Sequence, residues 1–387
     1  MKNKSAEKPG GLASSSLLGH LRRGLTPKSG RLKIFLLVLS LLNICATIFT
    51  GLEQSDPNRG IKPGEIVYSP MEDFLYNEKW HFMSQFDSGW VLYSNIMITN
   101  IATSKYSGGV EFSLYSPEGR IYTSKIDYGP EQVKASRERF QVEVASNRIG
   151  GEYPRYYLEL DQGGIKVNLS FENQVPGWKP GDGMLWFDRE KTKFWKYAVT
   201  SPRAKVSGSI TVAGKKIPLQ GYGLQDYSKM NISASDYSTR WLHIRIWGPD
   251  YSVIYTELDV PEKYGGKTVK FGLVTDAEKI ILQSRDWTVT PVKSEYDEKY
   301  KKRYPKEIEL KVQGDKVGLS GDLKLVLVLE RMDVFAQLNV ALKTIVYTFI
   351  AKPVFYRCSN QYQLELTTNN KKETLSGKGL NEVVFIK

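Results

Sequence analysis

The chain has 387 residues, with 54 Lys and Arg against 42 Asp and Glu and a net charge of +12. At ~150 residues per domain this length allows two or three domains. A hydrophobic share of 41% with 25% charged residues excludes global disorder. More than half of the positive excess sits before Ile34, in Lys2, Lys4, Lys8, Arg22, Arg23, Lys28, Arg31 and Lys33 against Glu7. The body is only mildly basic, so nucleic acid is not expected as a partner.

Residues 34–52 follow that leader and contain no charge. As a helix they would be about 28 Å long, enough to cross a bilayer. The basic flank should stay in the cytoplasm. The expectation is a basic leader (1–33), a transmembrane anchor or signal segment (34–52) and a polar linker (53–64). That topology predicts a single-pass protein of the cytoplasmic (inner) membrane, attached through its N-terminal helix, with its bulk extracytoplasmic or periplasmic.

From residue 65 the texture is strands. Residues 90–99, 109–115, 120–128, 141–145, 156–161 and 165–172 alternate or cluster aromatic and β-branched side chains between Gly- and Pro-containing turns. Strands are also predicted at 195–200, 205–212 and 216–220. After residue 235 the pattern restarts, with strands at 239–247, 251–259, 268–274, 279–283, 287–292, 307–312, 323–329, 362–367, 373–375 and 382–386. Such spacing predicts two all-β units, 65–235 and 236–387. In residues 331–351, Val334, Leu338, Ala341, Leu342, Ile345 and Phe349 recur at helical spacing, which predicts one amphipathic helix in the second unit.

The chain has two cysteines, Cys45 and Cys358, and three histidines, His20, His81 and His243. It contains no CxxC or HExxH motif, so neither metal nor other cofactor is expected. Aromatic residues are abundant. Trp186, Trp195, Tyr222, Gln225, Trp241 and Trp247 are candidates to line an apolar ligand cavity. The densest polar and aromatic cluster runs from Gly221 to Asn231, with Asp226 and Tyr227 at its centre. An Asp among aromatics is a proton donor if burial raises its pKa, and a hydrogen-bond acceptor if it stays ionised. Alternation along 239–247 puts Trp241, His243, Arg245 and Trp247 on one face.

The run Ser207-Gly208-Ser209-Ile210-Thr211-Val212 followed by Gly221-x-Gly223-x-x-Asp226 resembles the signature of the CrtC/AttH lipocalin-like family. Asp87-Ser88-Gly89-Trp90, Pro353-x-x-Tyr356-Arg357 and Gly377-x-Gly379-x-x-Glu382 extend the likeness over roughly residues 65–387. The resemblance implies two consecutive lipocalin-like β-barrel domains with an apolar site near their junction. It also implies Asp226 as an acid that protonates an isoprenoid double bond. The family's following His is Tyr227 here, which leaves His243 as the candidate partner, so Asp226, Tyr227 and His243 are the candidate catalytic set.

The leading expectation is a membrane-anchored protein that binds a hydrophobic small molecule, an isoprenoid or other lipid. One alternative is a cofactor-independent hydratase, isomerase or cyclase of isoprenoids. Another is a cell-surface carbohydrate-binding β-sandwich that uses exposed aromatics as stacking platforms.

Overall fold

Successive side chains of a strand point to opposite faces. In residues Ile165–Asn173 the odd-numbered side chains, Ile165 through Asn173, are buried, and Lys166, Asn168, Ser170 and Glu172 are exposed. The computed structural model describes residues 60–101, 104–333, 352–369 and 371–386. Within them the regular secondary structure is almost wholly strand.

The first sheet holds β1 (Asn77–Phe86), β2 (Val91–Thr99), β3 (Ser107–Tyr115), β4 (Ile121–Tyr128), β5 (Val133–Ala135), β6 (Gln141–Val144), β7 (Asn147–Glu152), β8 (Arg155–Gln162), β9 (Ile165–Asn173), β10 (Met184–Trp186), β11 (Phe194–Val212) and β12 (Lys215–Met230). The second holds β13 (Arg240–Trp247), β14 (Ser252–Asp259), β15 (Thr268–Thr275), β16 (Ile280–Ser284), β17 (Thr288–Asp297), β18 (Lys302–Gln313), β19 (Val317–Asp333), β20 (Val354–Thr368) and β21 (Lys371–Phe385). The change of sheet falls between Met230 and Arg240, close to residue 235.

Both sheets follow one plan. Their order is β4-β3-β2-β1-β12-β11-β9-β8-β7-β6-β5 and β16-β15-β14-β13-β21-β20-β19-β18-β17, with β10 set against β11. In each, the first strand in sequence pairs with the last. The first sheet curls into a nearly closed barrel. At the end of β8, the Gln162 amide donates to the Val110 carbonyl of β3 at 3.1 Å and to Ser124 of β4 at 3.0 Å. A Cβ at Gly108 would lie 2.6 Å from Val144, so β3 crosses β6 where only glycine leaves room.

Each sheet encloses its own core, around Trp80, Phe82 and Phe171 in the first and Trp287, Tyr304 and Tyr356 in the second. A third cluster joins them, with Met83, Tyr93 and Leu224 from one side and Trp247, Ile254 and Leu380 from the other. Strands beside this junction, such as β14, are therefore buried on both faces. Reciprocal arginines reinforce it. Arg203 of β11 donates to the carbonyls of Gly248 (2.8 Å), Pro249 and Tyr251 (2.6 Å). Arg357 of β20 reaches Ser113 (3.3 Å) and Tyr115 (3.1 Å) of β3.

Several sequence expectations change. Residues 195–200 and 205–212 form one strand, β11, continuous through register shifts between Val199 and Ala204. The Gly221–Asn231 cluster is mostly strand as well, because β12 runs on to Met230. Arg331, Met332 and Asp333 close β19 instead of opening a helix. The rest of that predicted helix, 334–351, lies outside the described residues, as do the leader and the anchor at 34–52. Among the described residues, no helix is long and apolar enough to cross a membrane.

Arg203→Ala removes three buried charge-assisted hydrogen bonds and strands the carbonyls of the 248–251 turn. The expected loss is about 3 kcal/mol or more in urea unfolding. An unchanged midpoint would show that the clasp contributes nothing.

Candidate functional site

Asp226 lies on β12 directly opposite His81 of β1, and His81 Nδ1 donates to its carboxylate at 3.1 Å. Strand alternation aims both at the junction of the sheets. The Tyr197 hydroxyl lies 3.5 Å from the same carboxylate oxygen, and Arg245 Nη2 lies 3.5 Å from that hydroxyl. Burial alone would raise the Asp226 carboxyl. The charge and hydrogen bond of His81, with Arg245 beyond, outweigh it and hold the carboxyl below its usual range.

The second sheet repeats the device. Gly377-x-Gly379-x-x-Glu382 occupies β21 as Gly221-x-Gly223-x-x-Asp226 occupies β12, and Glu382 stands opposite His243 of β13. There Arg357 takes the carboxylate at 2.8 Å and extends to Glu330 at 3.1 Å, while its guanidinium lies 4.5 Å over the Tyr93 ring. His243 Nδ1 faces Arg245 Nη2 at 3.3 Å and Thr256 Oγ1 at 3.1 Å. That is an acceptor's position, which puts the proton on Nε2. Burial, then Arg245, pushes the imidazole down to about 3, so it is neutral.

The structure gathers Asp226, His243, Tyr222, Trp195, Trp241 and Trp247 at this junction. Trp195 packs on Tyr197, Tyr237 and Phe271, and Trp241 stacks on Tyr237. Tyr222 lies under the Arg203 guanidinium at 4.8 Å. Three expected members are elsewhere. Tyr227 faces the first barrel, where its hydroxyl donates to the buried Glu78 carboxylate at 2.6 Å and its ring meets Trp80. As neighbours on a strand, Asp226 and Tyr227 cannot share a face. Gln225 stands opposite Phe82 on that same interior face, and Trp186 lies on β10 against Phe194. His81, not His243, is the direct partner of Asp226. The sequence marked it only as one of two histidines in the body.

This junction suits bracing better than acid catalysis. Asp226 is held ionised, so it accepts hydrogen bonds and stores no proton for an alkene. Among the described residues, no group of three or more His, Cys, Asp or Glu is placed to hold a metal.

Room for a ligand exists at one end of the first barrel, in a cleft of about 490 Å3. Small-molecule sites occupy roughly 300–1,000 Å3. Residues 60–66 form one wall, strapped down where Trp80 Nε1 donates to the Ile66 carbonyl at 3.0 Å. Ile61, Ile66, Phe140, Tyr156 and Pro176 give it an apolar lining. Charged side chains, Lys62, Glu138, Arg139 and Glu152, also border it. Thr200 contributes a buried hydroxyl without a hydrogen-bond partner. Next to it, Asn173 donates to the Thr200 carbonyl at 3.1 Å and leaves its own Oδ1 unpartnered. Sequence reasoning missed this cleft, because its residues come from five separate stretches of chain.

The fold is lipocalin-like. A crystal structure of an AttH protein from Nitrosomonas europaea superposes with a TM-score of 0.61 at 13% identity, covering 87% of this chain and all of that one. The crystal structure of CghA gives 0.58 at 11% identity, over 86% and 97%. The family is narrower than the motif suggested. The Svf1 family model matches residues 47–387, and the chain belongs to that family instead of the CrtC/AttH family. The ceramide-binding protein SVF1 of Yarrowia lipolytica is 30% identical over 57% of this chain and 61% of its own length. The corresponding protein of Emericella nidulans is 25% identical over 78% and 83%. The chain thus spans about three-fifths of the Yarrowia relative.

A neutral His243 carries a pH signature. Below pH 6.5 the unfolded chain takes up a proton that the folded chain refuses until about 3. Stability should therefore fall as pH drops through that window, by about 1.4 kcal/mol per pH unit from this residue. His243→Gln should flatten thermal melts across that range, whereas a parallel decline would refute the assignment.

Proposed function

We propose that this protein binds a neutral lipid of the ceramide kind in the cleft at the end of the first barrel. The observation that carries the reading is the pairing of an apolar lining with one buried, uncharged and unpartnered group, Thr200 Oγ1. A ceramide offers aliphatic chains with an amide and hydroxyls. Such a headgroup needs hydrogen-bond donors and acceptors, not an ion pair, and an unpaired buried polar group gains when a ligand satisfies it. The names of the fungal relatives support the same ligand class. The isoprenoid named alongside other lipids in the sequence expectation offers no amide to the Thr200 hydroxyl.

Binding of a fluorescent ceramide tests this. Ile61→Trp should fill the cleft and abolish binding, while Thr200→Val should weaken it roughly fivefold, the equivalent of one hydrogen bond. Unchanged affinity in both variants, with folded spectra, would reject the cleft as the site.

A further inference from the structure

The second sheet comes apart on one side. β18 and β19 are paired from Glu307–Lys324 to Gln313–Gly318. Beyond Lys324, β19 pairs only with β20, and residues 302–306 of β18 pair only with β17. The strands diverge around an open depression of about 660 Å3. Glu295, Tyr304 and Lys306 wall one side, residues 325–331 the other, and Ile121 of the first sheet stands at its lip. Arg331 spans the gap to the Tyr304 hydroxyl at 3.1 Å.

The apolar side chains here are turned outward. Val326 is 59% exposed, Leu327 50% and Ile121 46%, and Tyr296 on the adjoining hairpin is 40% exposed. Exposed apolar groups that cluster in this way mark a contact surface. The backbone limits what the partner can be. A free strand edge invites another strand, but β19 carries register shifts between Leu325 and Leu327 and between Val328 and Glu330. Bulges at an edge break the regular ladder that an added strand would need. The contact must run through side chains.

Charge selects the partner. Lys299, Lys301, Lys302, Arg303 and Lys306 crowd this hairpin; Lys301 pairs with Glu298 at 2.7 Å and Lys306 with Glu295 at 2.9 Å, and the cluster keeps a positive excess over these two partners. Lys301 and Arg303 lie over the Tyr296 ring at 5.8 and 5.3 Å, which places cations around an amphipathic aromatic. Aromatic and aliphatic groups ringed by Lys and Arg match the interfacial zone of an anionic bilayer, where each cation near the surface strengthens binding. We infer that the β17–β18 hairpin and the exposed edge of β19 form a docking surface for an anionic membrane. The surface is separate from the cleft, and the inference does not rest on the ceramide reading, although a lipid carrier needs such a contact to load.

The test places a reporter on the surface of the full chain. Cys45→Ser with Val326→Cys leaves the buried Cys358 as the other thiol, and position 326 takes an environment-sensitive dye. Vesicles of phosphatidylcholine with phosphatidylserine should shift its emission to the blue, and vesicles of phosphatidylcholine alone should not. Replacing Lys299, Lys301 and Arg303 by Glu should weaken the shift at least about tenfold in vesicle concentration. No shift with anionic vesicles overturns the inference. A shift that grows with protein concentration in the absence of vesicles also overturns it, in favour of self-association. Ceramide binding by Val326→Glu/Leu327→Glu, assayed without vesicles, should equal wild type. Loss of the blue shift and loss of the cleft are therefore read separately.

Discussion

The architecture depends on a reciprocal exchange of arginines between the two sheets. Each sheet sends one arginine from its penultimate strand, Arg203 of β11 or Arg357 of β20, into the other. Both guanidiniums are almost fully buried, and a buried charge is tolerated when it is hydrogen-bonded, as both Nη groups of Arg203 are although its Nε is not. Arg203 meets backbone carbonyls of a turn, and Arg357 meets Glu382, Glu330 and Tyr115. The carbonyls of the 248–251 turn for Arg203, and Tyr115 for Arg357, come within reach only when the sheets are docked, whereas Glu382 and Glu330 lie in the sheet of Arg357 itself. This demand fixes the junction that positions His81, Asp226, His243 and Glu382.

At that junction, charge is consumed by the structure itself. Two His–carboxylate positions, one per sheet, sit at matching points of the seam between first and last strands. Their polar partners are mostly one another. The cleft differs in kind, since it is a space of about 490 Å3 with an apolar lining, bordered by the unpartnered Thr200 hydroxyl. That contrast separates a brace from a receptor, and it explains why the motif-bearing residues and the residues suited to a ligand lie in different places.

Much of the fold was legible because period-two alternation is explicit in segments such as Ile165–Asn173. The two G-x-G-x-x-acid motifs were also visible, and their equivalence becomes clear once the register pairs Asp226 with His81 and Glu382 with His243. Other features were not legible. The polar, glycine-containing Gly221–Asn231 stretch was read as a cluster and not as a strand, because the burial that makes it a strand comes from neighbours far away in sequence. Tyr227 was assigned to the Asp226 site because it stands where the family motif has its His, and strand geometry separates adjacent residues. Thr200 gave no signal, because its free hydroxyl arises where β11 slips register between Val199 and Ser201.

The shared plan of the two sheets has an evolutionary implication. A half chain carrying one such sheet would leave the outer face of its central strands bare, as β14 would be without the first sheet. Such a half could be soluble only by meeting another of its kind through that face. The shared plan is what a duplication of one sheet would leave, with the short link between Met230 and Arg240 at its join. Like plans carry unlike features, with the cleft in the first sheet and the parted edge in the second.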